Sequence, residues 1–208
     1  MDKIILGLLM LNRLTIYELR KVINLNFKSM CSDSLGSIQN AINKLLEANM
    51  ITVHEFVEKS VNKKRYSITD VGRAAFLAWI KTPMDMDKAK NMELSKLLFM
   101  GLAPKTERVA LLSEVIAALQ EQLAYLEKIQ ESAGNTDESI KQFVAYIEQD
   151  TEYLAGLKNA TGNSDVFENA QGIAQFQKIT LQFGVDTTKF QIEWFASIKR
   201  KLEQGEAF

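Results

Sequence analysis

Cysteine and histidine are nearly absent, one of each in 208 residues: Cys31 and His54. A single cysteine excludes an intrachain disulfide and suits a reducing compartment. Cys31 stands in the short connection before a strongly amphipathic segment. It reads as a small buried or half-buried residue, with a redox-sensing thiol as the other reading. A lone histidine with no second His or Cys at metal-ligand spacing reads as a strand surface residue, so no metal site is expected. There is no Gly-rich phosphate loop and no nucleophile beside the histidine. The chain therefore offers no catalytic residues and needs no cofactor, and an enzyme is the least supported class.

Long apolar runs are lacking as well. Ile4 to Leu11 is stopped by Asn12 and Arg13, too short to span a bilayer. It also lacks the basic start and small-residue cleavage site of an export signal. A cytoplasmic protein without membrane contact is the expectation. Net charge is only -1 overall, but it is unevenly spread. Residues 1–82 hold 12 Lys and Arg against 7 Asp and Glu, a balance of +5; residues 83–208 hold 13 against 19, a balance of -6. Any contact with a polyanion belongs to the first part. Proline occurs twice. Pro83 opens a polar stretch to Asn91 that reads as an exposed connection, and Pro104 suits the first turn of a helix. These features predict two domains, 1–82 and 83–208.

What is present is mostly helical periodicity. DKIILGLLML, residues 2–11, reads as an apolar helix buried between other elements. TIYE, from Thr15, has the Thr-x-x-Glu spacing of a capping box and starts a second helix to about Asn24. Ile16, Leu19, Val22 and Ile23 face inward on it, with Tyr17, Arg20 and Lys21 outside. A turn follows, plugged by Phe27 and Met30.

Ser34 is a good N-cap for a third helix, whose apolar face is Leu35, Ile38, Ala41, Ile42, Leu45 and Leu46. Asn49 suits the left-handed position that ends it. Its other face carries Ser37, Gln39, Asn40, Asn43 and Lys44. Short amide and hydroxyl groups on an exposed helix can pair with base edges, and Lys44 can reach phosphate. Plain solvation of the helix is the competing role. ITVHEFV and KRYSIT then read as a hairpin, with Ile51, Val53 and Phe56 toward the core and Lys63, Lys64 and Arg65 near its tip. Thr69 caps a fourth helix that buries Val71, Phe76, Leu77 and Ile80.

In the second part Val109, Leu112, Ile116, Leu119, Leu123 and Leu126 repeat at steps of three and four, a coiled-coil-like seam. SAGNTD interrupts it. A further amphipathic helix carries Ile140, Phe143, Val144, Ile147 and Leu154, and TGNSD precedes a long final helix holding Phe167, Phe176, Phe183, Phe190, Trp194 and Phe195. So much apolar area in one element predicts coverage by a second copy of the chain. A monomeric bundle closed by its own helices is the alternative.

The order helix, helix, helix, strand, strand, helix predicts a mainly α protein. Its N-terminal part is a winged helix-turn-helix, a three-helix core with a two-stranded wing. A C-terminal helical, coiled-coil-like dimerisation domain follows. ILGLLML at the start, YEL from Tyr17, SLGSIQNAINKLLEANMI and KKRYSITDVGRAAFLAW stand in the register of the PadR family of bacterial transcriptional regulators, which the chain resembles over most of its length. The family usually has Gly before the helix-2 Tyr, a Tyr in the middle of the reading helix, and a Gly- and Pro-containing wing. Here Ile16, Gln39 and VNKKRY stand in those places.

The resemblance implies a homodimeric regulator on double-stranded DNA, with C-terminal helices packed across a two-fold axis and an effector that is small and hydrophobic or phenolic. The residues expected at DNA are Tyr17, Ser34, Ser37, Gln39, Asn40, Asn43, Lys44, Lys63, Lys64 and Arg65. Those expected at the dimer contact are Val109, Leu112, Ile116, Leu119, Leu123, Leu126, Phe183, Phe190 and Trp194. Trp79, Trp194 and the phenylalanines could line an effector pocket or be plain core. Repression of an inverted-repeat operator is the expected role. A protein-interaction module whose winged helix no longer binds DNA is the alternative.

Overall fold

The computed structural model describes residues 1–27, 31–58, 60–84, 93–132 and 136–206. Met30 and most of the stretch from Pro83 to Asn91 lie outside the described residues. Contacts divide the chain into two compact units, residues 1–84 with 146–166, and residues 85–145 with 167–208.

In the first unit α1 (Asp2–Leu11), α2 (Ile16–Asn26) and α3 (Leu35–Glu47) enclose a core of Ile5, Leu6, Leu9, Leu19, Ile23, Ile38, Ile42 and Leu45. Burying each Leu or Ile contributes about 1.5–3 kcal/mol, so this face, rather than helix propensity, holds the three helices. Their ends are set by the residues the sequence suggested. Thr15 and Glu18 form both halves of the capping box, and Ser34 Oγ accepts from the Ser37 N–H at 3.2 Å. Asn49 takes φ 54°, with its N–H on Leu46 O and the Met50 N–H on Leu45 O, each at 2.9 Å. That pairing satisfies the last carbonyls of α3.

The wing is β2 (Ile51–Glu58) paired antiparallel with β3 (Val61–Ile68), Ile51 opposite Ile68. A third strand that alternation did not reveal, β1 (Leu14–Thr15), pairs with the other edge of β3, giving the order β1-β3-β2. Val53, expected in the core, is exposed, because it stands on the edge strand, whereas its partner Tyr66 on the central strand is flanked by Leu14 as well and is buried with Ile51 and Ile68.

The helix α4 (Asp70–Ile80) starts at Thr69, whose Oγ1 accepts from the Gly72 N–H at 3.1 Å. Val71 and Ile80 are exposed, contrary to expectation, and the side turned inward carries Gly72 and Arg73 with half-buried Phe76 and Leu77. The reason is a close crossing. A Cβ on Gly72 would stand 2.0 Å from the Met50 carbonyl oxygen, so this register needs glycine at the contact.

Residues 146–166, which the division at residue 82 assigned to the second part, return to the first unit. The periodicity ran on from Ile140 to Leu154 as though one helix. Instead α7 (Thr136–Ile147) ends, and Asp150 caps a separate α8 (Thr151–Thr161) by accepting from the Tyr153 N–H at 3.2 Å. Buried Tyr153 donates its hydroxyl to Leu9 O at 2.9 Å. Arg13 pairs with Asp150 and, at 2.7 Å, with Glu152.

In the second unit α5 (Leu94–Phe99) leads into a turn held by Arg108, which donates to Ala103 O at 3.0 Å and Gly101 O at 2.6 Å. The helices α6 (Lys105–Ser132) and α9 (Val166–Gln204) run antiparallel. Gln130 bonds Gln182 at 2.9 Å, Glu127 pairs with Lys189 at 3.0 Å, and Leu126 packs beside Gly184. By length and composition α6 could cross a membrane. Glu114 and Glu121 in mid-helix, with the polar contacts to α9, fit a helix packed against protein.

Candidate nucleic-acid interface

One side of α3 is sealed by Ile38, Ala41, Ile42 and Leu45. The 3.6-residue period therefore turns Asn40, Asn43 and Lys44 outward, and all three are exposed. The other expected residues are less simple. Ser34 and Ser37 are engaged in the cap, with Ser34 Oγ donating to Ser37 Oγ at 2.8 Å. Gln39 is half-buried and donates to Asn43 Oδ1 at 2.9 Å, so it orients Asn43. Gly36, which the sequence reading did not single out, lies on the open face, where an added Cβ would meet nothing within 4 Å.

Tyr17 is 70 % exposed at the start of α2, on a shallow surface it shares with Arg20, Lys21, Asn24 and Leu25. Arg20 donates to Asp33 O at 3.2 Å, tying α2 to the approach to α3. Lys21 and Arg20 add positive charge that motif reading passed over.

The wing is less basic than its sequence. Glu55 stands directly opposite Lys64 and pairs with it at 3.2 Å, and Lys63 donates to Glu58. The Lys63 ammonium, by hydrogen bond and charge, holds the Glu58 carboxyl below its ordinary pKa. Arg65 lies with its guanidinium 4.5 Å from the Phe56 ring centre, and its Nε is buried without a hydrogen-bond partner among the described residues. Val57 and Val61 are exposed on the same hairpin. His54, opposite Arg65, is on the strand surface.

Cys31 is half-buried, and burial raises its thiol above the ordinary value, which works against a redox-active thiolate.

Of the residues expected at a dimer contact, Leu112 is fully buried within its own chain, and Val109, Ile116, Leu119, Leu123 and Leu126 are half-buried. The seam thus faces mostly inward. On α9, Phe176, Phe183 and Phe190, seven residues apart, are 69, 62 and 63 % exposed, with Trp194 beside them 40 % exposed. Leu111, Val115 and Tyr125 form a second exposed row on α6. Trp79 is also exposed, so neither tryptophan is plain core of the single chain.

Residues 89–203, more than half of the chain, match the family model described as virulence activator alpha C-term. The chain belongs to that family. Its fold is that of the PadR regulators, which bears out the resemblance read from the sequence. PadR of Bacillus subtilis in complex with operator DNA superposes with a TM-score of 0.67 at 17% identity, covering 97% of this chain and 98% of that one. The virulence activator AphA of Vibrio cholerae gives 0.65 at 17% identity, covering 98% of each chain. Bacillus subtilis PadR in complex with p-coumaric acid gives 0.62 at 17% identity over 97% of this chain and 98% of that one. No curated protein matches the sequence.

Proposed function

We propose that this protein is a cytoplasmic, homodimeric transcriptional regulator, a repressor that binds an inverted-repeat operator and responds to a small hydrophobic or phenolic effector. The observation that carries the reading is the outward face of α3, where Asn40, Asn43 and Lys44 are exposed on a helix whose opposite side is sealed into the core. Amide side chains so placed can read adenine edges in the major groove while Lys44 meets phosphate. Tyr17, Arg20 and Lys21 flank it, and the wing supplies Lys63, Lys64 and Arg65. A relative in fold is bound to operator DNA, and the same relative binds p-coumaric acid. The chain is a binder in this reading, not a catalyst.

Dimerisation uses the heptad row Phe176, Phe183, Phe190 and its neighbour Trp194, which a second copy covers. Two reading helices then sit about one DNA turn, roughly 34 Å, apart. The test is a mobility shift and footprint of the purified protein on its own upstream region, together with sedimentation. A salt-dependent footprint of two half-sites one turn apart supports the reading, and single subunits with no retarded fragment refute it.

A second reading has its own observation. Glu55 and Glu58 offset the wing lysines, and Val57 and Val61 are exposed beside them, a surface suited to protein contact. It predicts a stable heteromeric complex and no salt-dependent duplex binding.

A further inference from the structure

The three cations of the wing are held in different ways. Lys63 and Lys64 each have a carboxylate partner, Glu58 and Glu55, which an incoming phosphate must displace. Arg65 has no ion pair among the described residues and acts on Glu58 more weakly than Lys63 does. What it has is a ring. The register puts Phe56 opposite Lys63 and Arg65 opposite His54, so Phe56 and Arg65 are diagonal neighbours on one face of the hairpin. The Arg65 guanidinium carbon lies 4.5 Å from the Phe56 ring centre, within cation–π range. Arg65 stands on the central strand, with Thr15 of β1 on its other side.

This setting leaves the guanidinium one way to be used. Nε is buried without a partner among the described residues, which closes the side of the fork that Nε shares with one Nη. Nη1 and Nη2 are not sealed in this way, so the end of the fork stays open. That end presents two parallel N–H groups, the spacing that two oxygens of a phosphate accept. An arginine already laid on a ring gives up less rotamer freedom on binding than a lysine that must first leave a carboxylate. A lysine in its place would keep the charge but lose both the stacking and the fork.

We propose that Phe56 is a positioning residue for DNA: its ring fixes the Arg65 guanidinium so that Nη1 and Nη2 grip one backbone phosphate. This deepens the DNA-binding half of the proposed function and rests on that reading.

A double-mutant cycle on the full chain tests it. Affinity is read by fluorescence anisotropy across a salt series, on a labelled duplex from the protein's own upstream region and on a random-sequence duplex of the same length. Phe56→Leu, which removes the ring but stays apolar, should weaken binding to both duplexes about fivefold. Arg65→Ala should weaken it about tenfold and flatten the salt slope by about 1. In the Arg65→Ala background Phe56→Leu should add nothing. Phe56→Tyr, which retains the ring, should bind as the wild type does, and Arg65→Lys should lose about fivefold although its charge is kept. Should Phe56→Leu fail to fold, Phe56→Tyr and Arg65→Lys carry the test. Equal loss from Phe56→Leu with and without Arg65, wild-type binding by Arg65→Lys, an unchanged salt slope in Arg65→Ala, or a loss confined to the upstream duplex overturns the proposal and leaves the regulator reading intact. A wild-type chain that binds neither duplex overturns both.

Discussion

Lys64 and Glu55 face each other across the hairpin with 3.2 Å between ammonium and carboxylate, so part of the wing's positive charge is already engaged within the fold. Lys63 and Glu58 pair diagonally nearer the tip. Exposed pairs of this kind hold together only weakly, so an approaching phosphate can take the lysine from its partner. Glu55→Gln with Glu58→Gln should therefore tighten operator binding severalfold. Lys64→Ala should weaken it on all sequences and flatten the salt slope by about 1. Lys64 is the cleaner choice for this test than Arg65, whose removal also uncovers Phe56. Identical salt slopes across the series, measured by fluorescence anisotropy, would mean that the wing stays off the duplex.

On the reading helix, Asn40→Ala and Asn43→Ala should each cost about 1–3 kcal/mol at one base position and leave other positions unchanged. Gln39→Ala should shift the same position as Asn43→Ala, because Gln39 acts by holding the Asn43 amide at 2.9 Å. Selection of binding sites from a randomised duplex pool reads this directly. A uniform loss over all sequences would assign the asparagines to phosphate or to mere solvation.

The row Phe176, Phe183, Phe190 should behave as an interface core. Aromatic anchors at such positions are worth about 2 kcal/mol or more each. Phe183→Ala with Phe190→Ala should thus raise the dimer dissociation constant by roughly a thousandfold. Sedimentation equilibrium at micromolar concentration should then find single subunits with undiminished helical circular dichroism. A double variant that still sediments as a dimer places the contact elsewhere.

The ends of the elements were legible because each depends on one local interaction. Thr15 with Glu18, Ser34 with the Ser37 amide, and Asn49 at positive φ are short-range chemistry that spacing alone displays. Periodicity also marked which face of each helix is apolar. It could not say what covers that face. The stripe on α7 reads on through Leu154, yet α8 buries Tyr153 and Leu157 instead, and Tyr153 reaches back 144 residues to Leu9. Arg73 reads as an ordinary solvated helix residue until Gly156 is placed over it. The pairing of the wing lysines was hidden for a related reason. Glu55 and Lys64 meet only once the register of the hairpin is fixed, and a one-residue slip would put them on opposite faces.

Gly72 supplies a backbone test of the same first unit. With a Cβ due to fall 2.0 Å from the Met50 carbonyl oxygen, Gly72→Ala must push α4 off the turn between α3 and β2. A loss of about 1–3 kcal/mol is expected in urea unfolding, the usual range for forced overpacking. Gly36→Ala has open space and should change stability little, whereas it should weaken DNA binding if the duplex approaches that turn. Equal stability of the two variants would show that the crossing is looser than this contact requires.

Tyr153 ties α8 to the end of α1 and should leave a signature in the dependence of stability on pH. Its hydroxyl donates to Leu9 O at 2.9 Å, and burial raises its pKa above the ordinary value of 10.0, partly opposed by the charges of Arg13 and Arg73. A phenol whose pKa is higher folded than unfolded stabilises the fold fully below the unfolded value. That contribution is lost as pH rises from about 10 through the folded value, because the unfolded chain gives up the proton first. Tyr153→Phe removes both the hydrogen bond and the titration. It should cost about 1 kcal/mol at pH 8, and its stability should fall less steeply than that of the wild type above pH 10. Urea unfolding at pH 8, 9.5 and 10.5 measures both effects. Parallel decline of the two proteins through that window would mean that the phenol ionises as readily in the folded chain as in the unfolded one, and equal stability at pH 8 would mean that the contact with Leu9 does not secure α8.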